Sequence, residues 1–116
     1  MQITILFIHE HLFDTALTIQ KIREKGYGKN HNFSTEFRNY TGVAPKDYVQ
    51  QFRVEAGKMI LCDERFESLQ IYEIAKALGY RVSTFSHAFK KRVNDPPDKW
   101  RKEQLKTSKG VTRILE

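Results

Sequence analysis

A chain of 116 residues with 40% apolar and 29% charged side chains is too apolar to remain disordered, and is long enough for one modest core or two very small ones. Its single cysteine, Cys62, excludes an intrachain disulfide and a cysteine-based zinc cluster, and one thiol alone fits a reducing compartment. The net charge of +6 is concentrated at one end: residues 1–80 carry ten Lys or Arg against ten Asp or Glu, and residues 81–116 carry ten against four. Such a region is either the electrostatic footprint of a polyanion binder or a solvated basic face.

The apolar run ITILFI, residues 3–8, is too short for a membrane span and has no cationic stretch before it, so it reads neither as a signal peptide nor as a transmembrane segment. It fits a strand by its β-branched residues and a helix by the spacing of Ile5, Ile8 and Leu12. Thr18 then caps a helix with Ile19 and Ile22 inward, and Gly26 or Gly28 makes a turn. A second helix buries Phe33, Phe37 and Tyr40 and exposes Asn30, His31, Ser34, Thr35 and Arg38. Pro45 starts a long amphipathic helix in which Tyr48, Val49, Phe52, Ala56, Met59 and Ile60 recur at helical spacing to about Cys62, taken as a small buried hydrophobe. A helix of about 17 residues spans roughly 25 Å, enough to hold two small lobes apart.

In the second half, Ser68 is the expected N-cap of a helix with an apolar face of Leu69, Ile71, Ile74, Ala75 and Leu78. Gly79 stops it, being able to take the left-handed C-cap conformation. Ser83 or Thr84 caps the next helix, whose inner side is Phe85, Ala88, Phe89 and Val93 and whose outer side is Ser83, Thr84, His87, Lys90 and Lys91. A helix that breaks for one turn and resumes with cations at its end is a helix-turn-helix, whose second helix is the one that enters a DNA major groove. After Leu105 no clear periodicity remains, so Val111, Ile114 and Leu115 either dock on a neighbour or stay loose.

The two halves are copies. At an offset of 52 residues, Ile19 matches Ile71, Ile22 matches Ile74, Phe33 matches Phe85, Ser34 matches Ser86, Phe37 matches Phe89, Pro45 matches Pro97 and Tyr48 matches Trp100. Each copy therefore reads as helix, tight turn, helix and a proline-led third helix.

These residues resemble the DNA-binding domain of the AraC family of bacterial transcription regulators, from about Leu12 to Trp100 or Arg101. The resemblance is carried by IYEIAKALGY, FSHAFKKR and PPDKWR in the second copy, and by YVQQFRVEAGKMIL, with Arg53 and Ala56, as the linker helix. It implies an all-α fold of two helix-turn-helix subdomains, homeodomain-like repeats joined by a long linker helix. The expected division is an N-terminal lobe at 1–45, the linker helix at 46–62, a C-terminal lobe at 63–105 and a tail at 106–116. Three departures stand out. Arg23 replaces a small alanine and predicts a looser first lobe; the turn GYRVSTF is one residue short; and Asn94 replaces a glycine, a mild change because Asn tolerates the left-handed conformation.

The resemblance further implies a cytoplasmic, nucleoid-associated regulator that binds double-stranded DNA with two recognition helices in adjacent major grooves, as a monomer of this chain. Carried over by position, the base readers are Asn30, His31, Ser34, Thr35, Ser83, Thr84 and His87. The phosphate contacts are Lys29, Arg38, Arg81, Lys90, Lys91, Arg101 and Lys102, with affinity anchored in the more basic second lobe. RNA polymerase is a further expected partner. The competing reading is a protein-interaction module of the same fold with little DNA reading.

Other chemistry finds no support in the sequence. The phenylalanines stand at core spacing rather than as stacking platforms, and His9 and His11 lack a third metal ligand. Cys62 has no evident base, and Gly26 and Gly28 lack the strand and third glycine of a phosphate loop. No enzyme, metal or cofactor is expected.

Overall fold

The computed structural model describes residues 1–24 and 32–115, apart from the side chains of Arg23 and of residues 108–115. Among the described residues there are α-helices and no strand: α1 (Gln2–Glu10), α2 (Ile19–Glu24), α3 (Phe33–Thr41), α4 (Pro45–Leu61), a 3₁₀ turn (Glu64–Phe66), α5 (Ile71–Ala77), α6 (Val82–Val93) and α7 (Pro97–Leu115). The chain divides into two compact units, Met1–Arg53 and Val54–Glu116, so the boundary falls inside α4.

In the first unit the ambiguous opening segment is a helix. Burial decides it against β-propensity: Ile8 and Leu12 are buried and Ile5 half-buried on one face, while Ile3 and Leu6 on the other remain 65% and 59% exposed. The core consists of Ile8, Leu12, Leu17, Ile22, Phe33, Phe37 and Val49, with Tyr48 packed against it. Thr18 caps α2 as expected, its Oγ1 accepting from the Lys21 N–H at 3.0 Å. Tyr40, expected inside, is 54% exposed, because it lies in the last turn of a nine-residue helix, past the buried pair Phe33 and Phe37. The expected glycine turn at Gly26 or Gly28 lies outside the described residues, as does the Arg23 side chain that bears on the expected looseness of the first lobe.

The second unit packs Val54, Leu61, Ile74, Ala75, Leu78, Phe85, Ala88 and Phe89, with Leu69, Tyr80, Val93 and Trp100 against them. Two caps differ from expectation. α5 starts at Ile71 behind Gln70, whose N–H donates to the Glu73 carboxylate at 3.1 Å, while Ser68 stays exposed in the preceding turn. Leu69 must reach the core before the helix begins, which moves the cap two residues on. α6 starts at Val82 behind an extended Arg81, so Ser83 and Thr84 occupy its exposed first turn instead of capping it. Between them Gly79 takes a left-handed φ of 85°, and the Tyr80 N–H reaches back to the Ala75 carbonyl at 2.9 Å, a Schellman closure.

α4 also departs from its reading. Val49, Arg53, Val54, Gly57 and Leu61 form its buried side, whereas Met59 is 73% exposed and Cys62 just beyond the helix is an exposed thiol. Serving one core through its first half and another through its second, the helix buries residues that a single amphipathic stripe does not predict. The tail, expected to be aperiodic, continues α7 to Leu115, and Leu105 in that helix is buried.

The internal repeat is geometric as well as sequential. α2 and α5 begin 52 residues apart, as do α4 and α7. α3 ends at a left-handed Gly42 (φ 88°) that donates to the Arg38 carbonyl at 2.7 Å, and α6 ends at a left-handed Asn94 (φ 72°) that donates to the Lys90 carbonyl at 2.8 Å. Asn94 thus adopts the conformation that glycine takes in the first copy, at a tolerable cost for an asparagine.

Two outcomes follow for stability. A β-carbon at Gly57 would lie 3.1 Å from both Leu78 and Phe85, so Gly57→Val overpacks the second core and should cost about 1–3 kcal/mol in urea unfolding. Asn94→Ala should cost about 1 kcal/mol by the strain of a left-handed alanine, while Asn94→Gly does not lower the melting temperature.

Candidate nucleic-acid interface

In each unit the second helix of the helix-turn-helix is pinned by an aromatic triplet. Phe33 and Phe37 lie 5.9 Å apart by ring centroids at 58°, and Tyr48 meets Phe37 edge-on at 5.3 Å. Phe85 and Phe89 lie 5.7 Å apart at 57°, and Trp100 meets Phe89 edge-on at 5.6 Å. Such edge-to-face packing is the favoured arrangement of aromatic pairs. With those rings inward, helical geometry turns the intervening residues outward. Tyr48 carries a hydroxyl where Trp100 has none, and its Oη shares a 2.7 Å hydrogen bond with Nε2 of His9. Burial pushes the Tyr48 phenol above its ordinary pKa. His9 is thereby tied to the aromatic side chains of α4, and no group of metal-ligating side chains occurs among the described residues.

The outward face of α6 carries Ser83, Thr84, His87, Lys90 and Lys91, all exposed, and that of α3 carries Ser34, Thr35 and Arg38, also exposed. Asn30, His31 and Lys29, expected to complete the first face, lie outside the described residues. The 52-residue offset pairs Thr35 with His87 and Arg38 with Lys90, so the two faces present a polar residue and a cation at equivalent positions. It also pairs Asn32 with Thr84 and Asn39 with Lys91; both asparagines are exposed, and only the repeat, not their residue type, marks them.

The electrostatics favour an anionic partner. Ion pairs among the described residues join Lys58 to Glu55, Arg65 to Asp63 and Lys99 to Asp95, and none of them takes up Arg38, Arg81, Lys90, Lys91 or Lys102, which are all exposed. The Arg65 guanidinium beside Asp63 holds that carboxyl below its usual range. Lys90, Lys91 and Arg92 close the last turn of α6, where cations also complement the helix dipole. Arg101 behaves differently. Expected at a phosphate, it is half-buried and its Nη2 donates to the carbonyls of Phe66 at 2.8 Å and Leu69 at 2.6 Å.

Two helix-turn-helix units in tandem define the class of the molecule. A family model described as a helix-turn-helix domain matches residues 26–103, well over half of the chain, and the chain belongs to this family, which is of the AraC type. Over 99 residues it is 35% identical to the uncharacterized HTH-type transcriptional regulator YobQ of Bacillus subtilis (strain 168), a match covering 84% of this chain and 39% of that protein, so the chain spans about two-fifths of this relative. It is similar to the C-terminal domain of the two-component response regulator yesN from Fusobacterium nucleatum subsp. nucleatum ATCC 25586, with a TM-score of 0.73 and 29% identity over 86% of this chain and 95% of that one. The fold is also that of the DNA-binding domain of the global transcriptional factor AdpA, in complex with a target DNA, with a TM-score of 0.75 and 20% identity over 86% and 87% of the two chains.

The division into inner and outer residues is testable by stability alone. Phe37→Ala and Phe89→Ala should each cost about 3–5 kcal/mol, whereas Arg38→Ala, His87→Ala and Lys90→Ala should stay within about 0.5 kcal/mol of the parent in urea unfolding.

Proposed function

We propose that this chain is the sequence-specific, double-stranded-DNA-binding part of a transcription regulator, with α3 and α6 as its two recognition helices, taking successive major grooves about 34 Å apart. The observation that carries the reading is the equivalence of the two outer faces: Thr35 and Arg38 on α3 recur as His87 and Lys90 on α6, each set turned out by the same buried phenylalanine pair. The fold shared with a DNA-binding domain crystallised on its target supports it.

In this reading, Ser34, Thr35, Ser83, Thr84 and His87 contact base edges, joined by Asn30 and His31 of the first lobe. Arg38, Arg81, Lys90, Lys91 and Lys102, with Lys29, meet phosphates, which fix orientation and supply most of the salt-dependent affinity. We place functional boundaries at 1–45, 46–62, 63–105 and 106–116. The chain acts as a cytoplasmic, nucleoid-associated monomer with a regulatory rather than catalytic role, meeting RNA polymerase as a second partner.

Selection from random duplex DNA should return a preferred sequence; a protein-only binder returns none. On that duplex, changing Lys90 and Lys91 to Ala should flatten the slope of log affinity against log salt by about two, and Arg38→Ala by about one. A slope unchanged in the double variant but flattened by Arg38→Ala would reverse the assignment of the second lobe as the electrostatic anchor.

A further inference from the structure

Arg101, half-buried and donating to two backbone carbonyls, has a counterpart in the other unit. Arg53, which is buried, donates from Nε to the Leu12 carbonyl at 2.6 Å and from its Nη2 to the Asp14 carbonyl at 2.9 Å. Arg101 donates to Phe66 and Leu69. Asp14 and Phe66 are 52 residues apart, and both carbonyls also accept a backbone N–H from three residues on, Leu17 at 3.1 Å and Leu69 at 3.1 Å. In each unit, then, an arginine of the proline-led helix holds the same turn, the one that leads into the first helix of the helix-turn-helix.

The two arginines are not at equivalent positions. Arg53 stands eight residues after Pro45, whereas Arg101 stands four after Pro97, one helical turn earlier. The offset pairs Val49 with Arg101 and Arg53 with Leu105, and Val49 and Leu105 are both buried. The aliphatic side chain and the arginine have exchanged places on the helix while the carbonyl they serve has stayed the same. Such an exchange is unnecessary if the arginine serves only to supply charge at the surface. It is the pattern expected if each unit requires a planar multi-donor group at that turn. Arg101 holds its place although its Nε is buried without a partner.

We propose that Arg101 is a positioning residue for DNA recognition by the second unit, and that Arg53 does the same for the first. By fixing the turn before α5, Arg101 sets how α5 enters the core through Leu69, Ile74 and Ala75, and α5 is the helix on which α6 rests. It contributes orientation of the recognition helix and no phosphate contact. The inference rests on the DNA-binding reading above.

The test uses the full chain and its selected duplex, with a scrambled duplex as reference and with each variant's unfolding curve measured in parallel. Arg101→Lys keeps the charge and removes the fork. It should weaken binding to the selected duplex by about tenfold or more, as loss of a charge-assisted bond does, and reduce the preference over the scrambled duplex while leaving the salt slope unchanged. Arg101→Val should behave alike, and adding Leu105→Arg, which moves the arginine to the position it has in the first unit, should restore the preference. The proposal is overturned if Arg101→Lys binds as the parent does, or if Arg101→Val flattens the salt slope by about one, the mark of a lost phosphate contact. It is equally overturned if the unfolded fraction accounts for the whole loss, or if the relocated variant is no better than Arg101→Val. A parent chain with no preference between the two duplexes refutes the DNA-binding reading itself, and this inference with it.

Discussion

Everything on the outer surface of the two helix-turn-helix units depends on one repeated contact, two phenylalanines a helical turn apart locked edge-on by an aromatic from the proline-led helix. A nine-residue helix such as α3 is too short to persist alone in water, so its direction is decided by what it buries. Once Phe33 and Phe37, or Phe85 and Phe89, are inside, helical periodicity leaves no choice about which residues face out. The polar faces follow from the core.

The two copies solve the same problems with different residues. At the end of the second helix, the left-handed residue is Gly42 in one and Asn94 in the other. At the aromatic wedge, Tyr48 needs a partner for its hydroxyl and has His9, whereas Trp100 stands in its place in the second copy. The arginine that donates to the turn before the first helix of the motif appears on successive turns of equivalent helices, buried as Arg53 and half-buried as Arg101. Backbone geometry has been kept through these changes, and side chains have shifted to serve it.

The features most legible in the sequence were local ones: the phenylalanine pairs, the left-handed Gly79 and Asn94, Pro45 and Pro97 as helix starts, and the exposed faces of α3 and α6. What could not be read was set by tertiary demand. Gln70 takes the cap from Ser68 because Leu69 is required in the core. Met59 and Cys62 lie outside because α4 changes the core it serves along its length. Arg101 reads in the sequence only as a cation, whereas the carbonyls of Phe66 and Leu69 that accept from its Nη2 are brought to it by the fold. Asn32 and Asn39 were legible in principle, through the repeat, but each is an unremarkable polar residue on its own.

The boundary inside α4 bears on how the chain breathes. Its two halves are each too brief to hold their coil without a packed neighbour, the first depending on the cluster around Val49 and the second on that around Val54 and Leu61. The backbone amides near Arg53 and Val54 are therefore shielded only while both halves remain wound, and their exchange with solvent deuterium is governed by whichever cluster opens more readily.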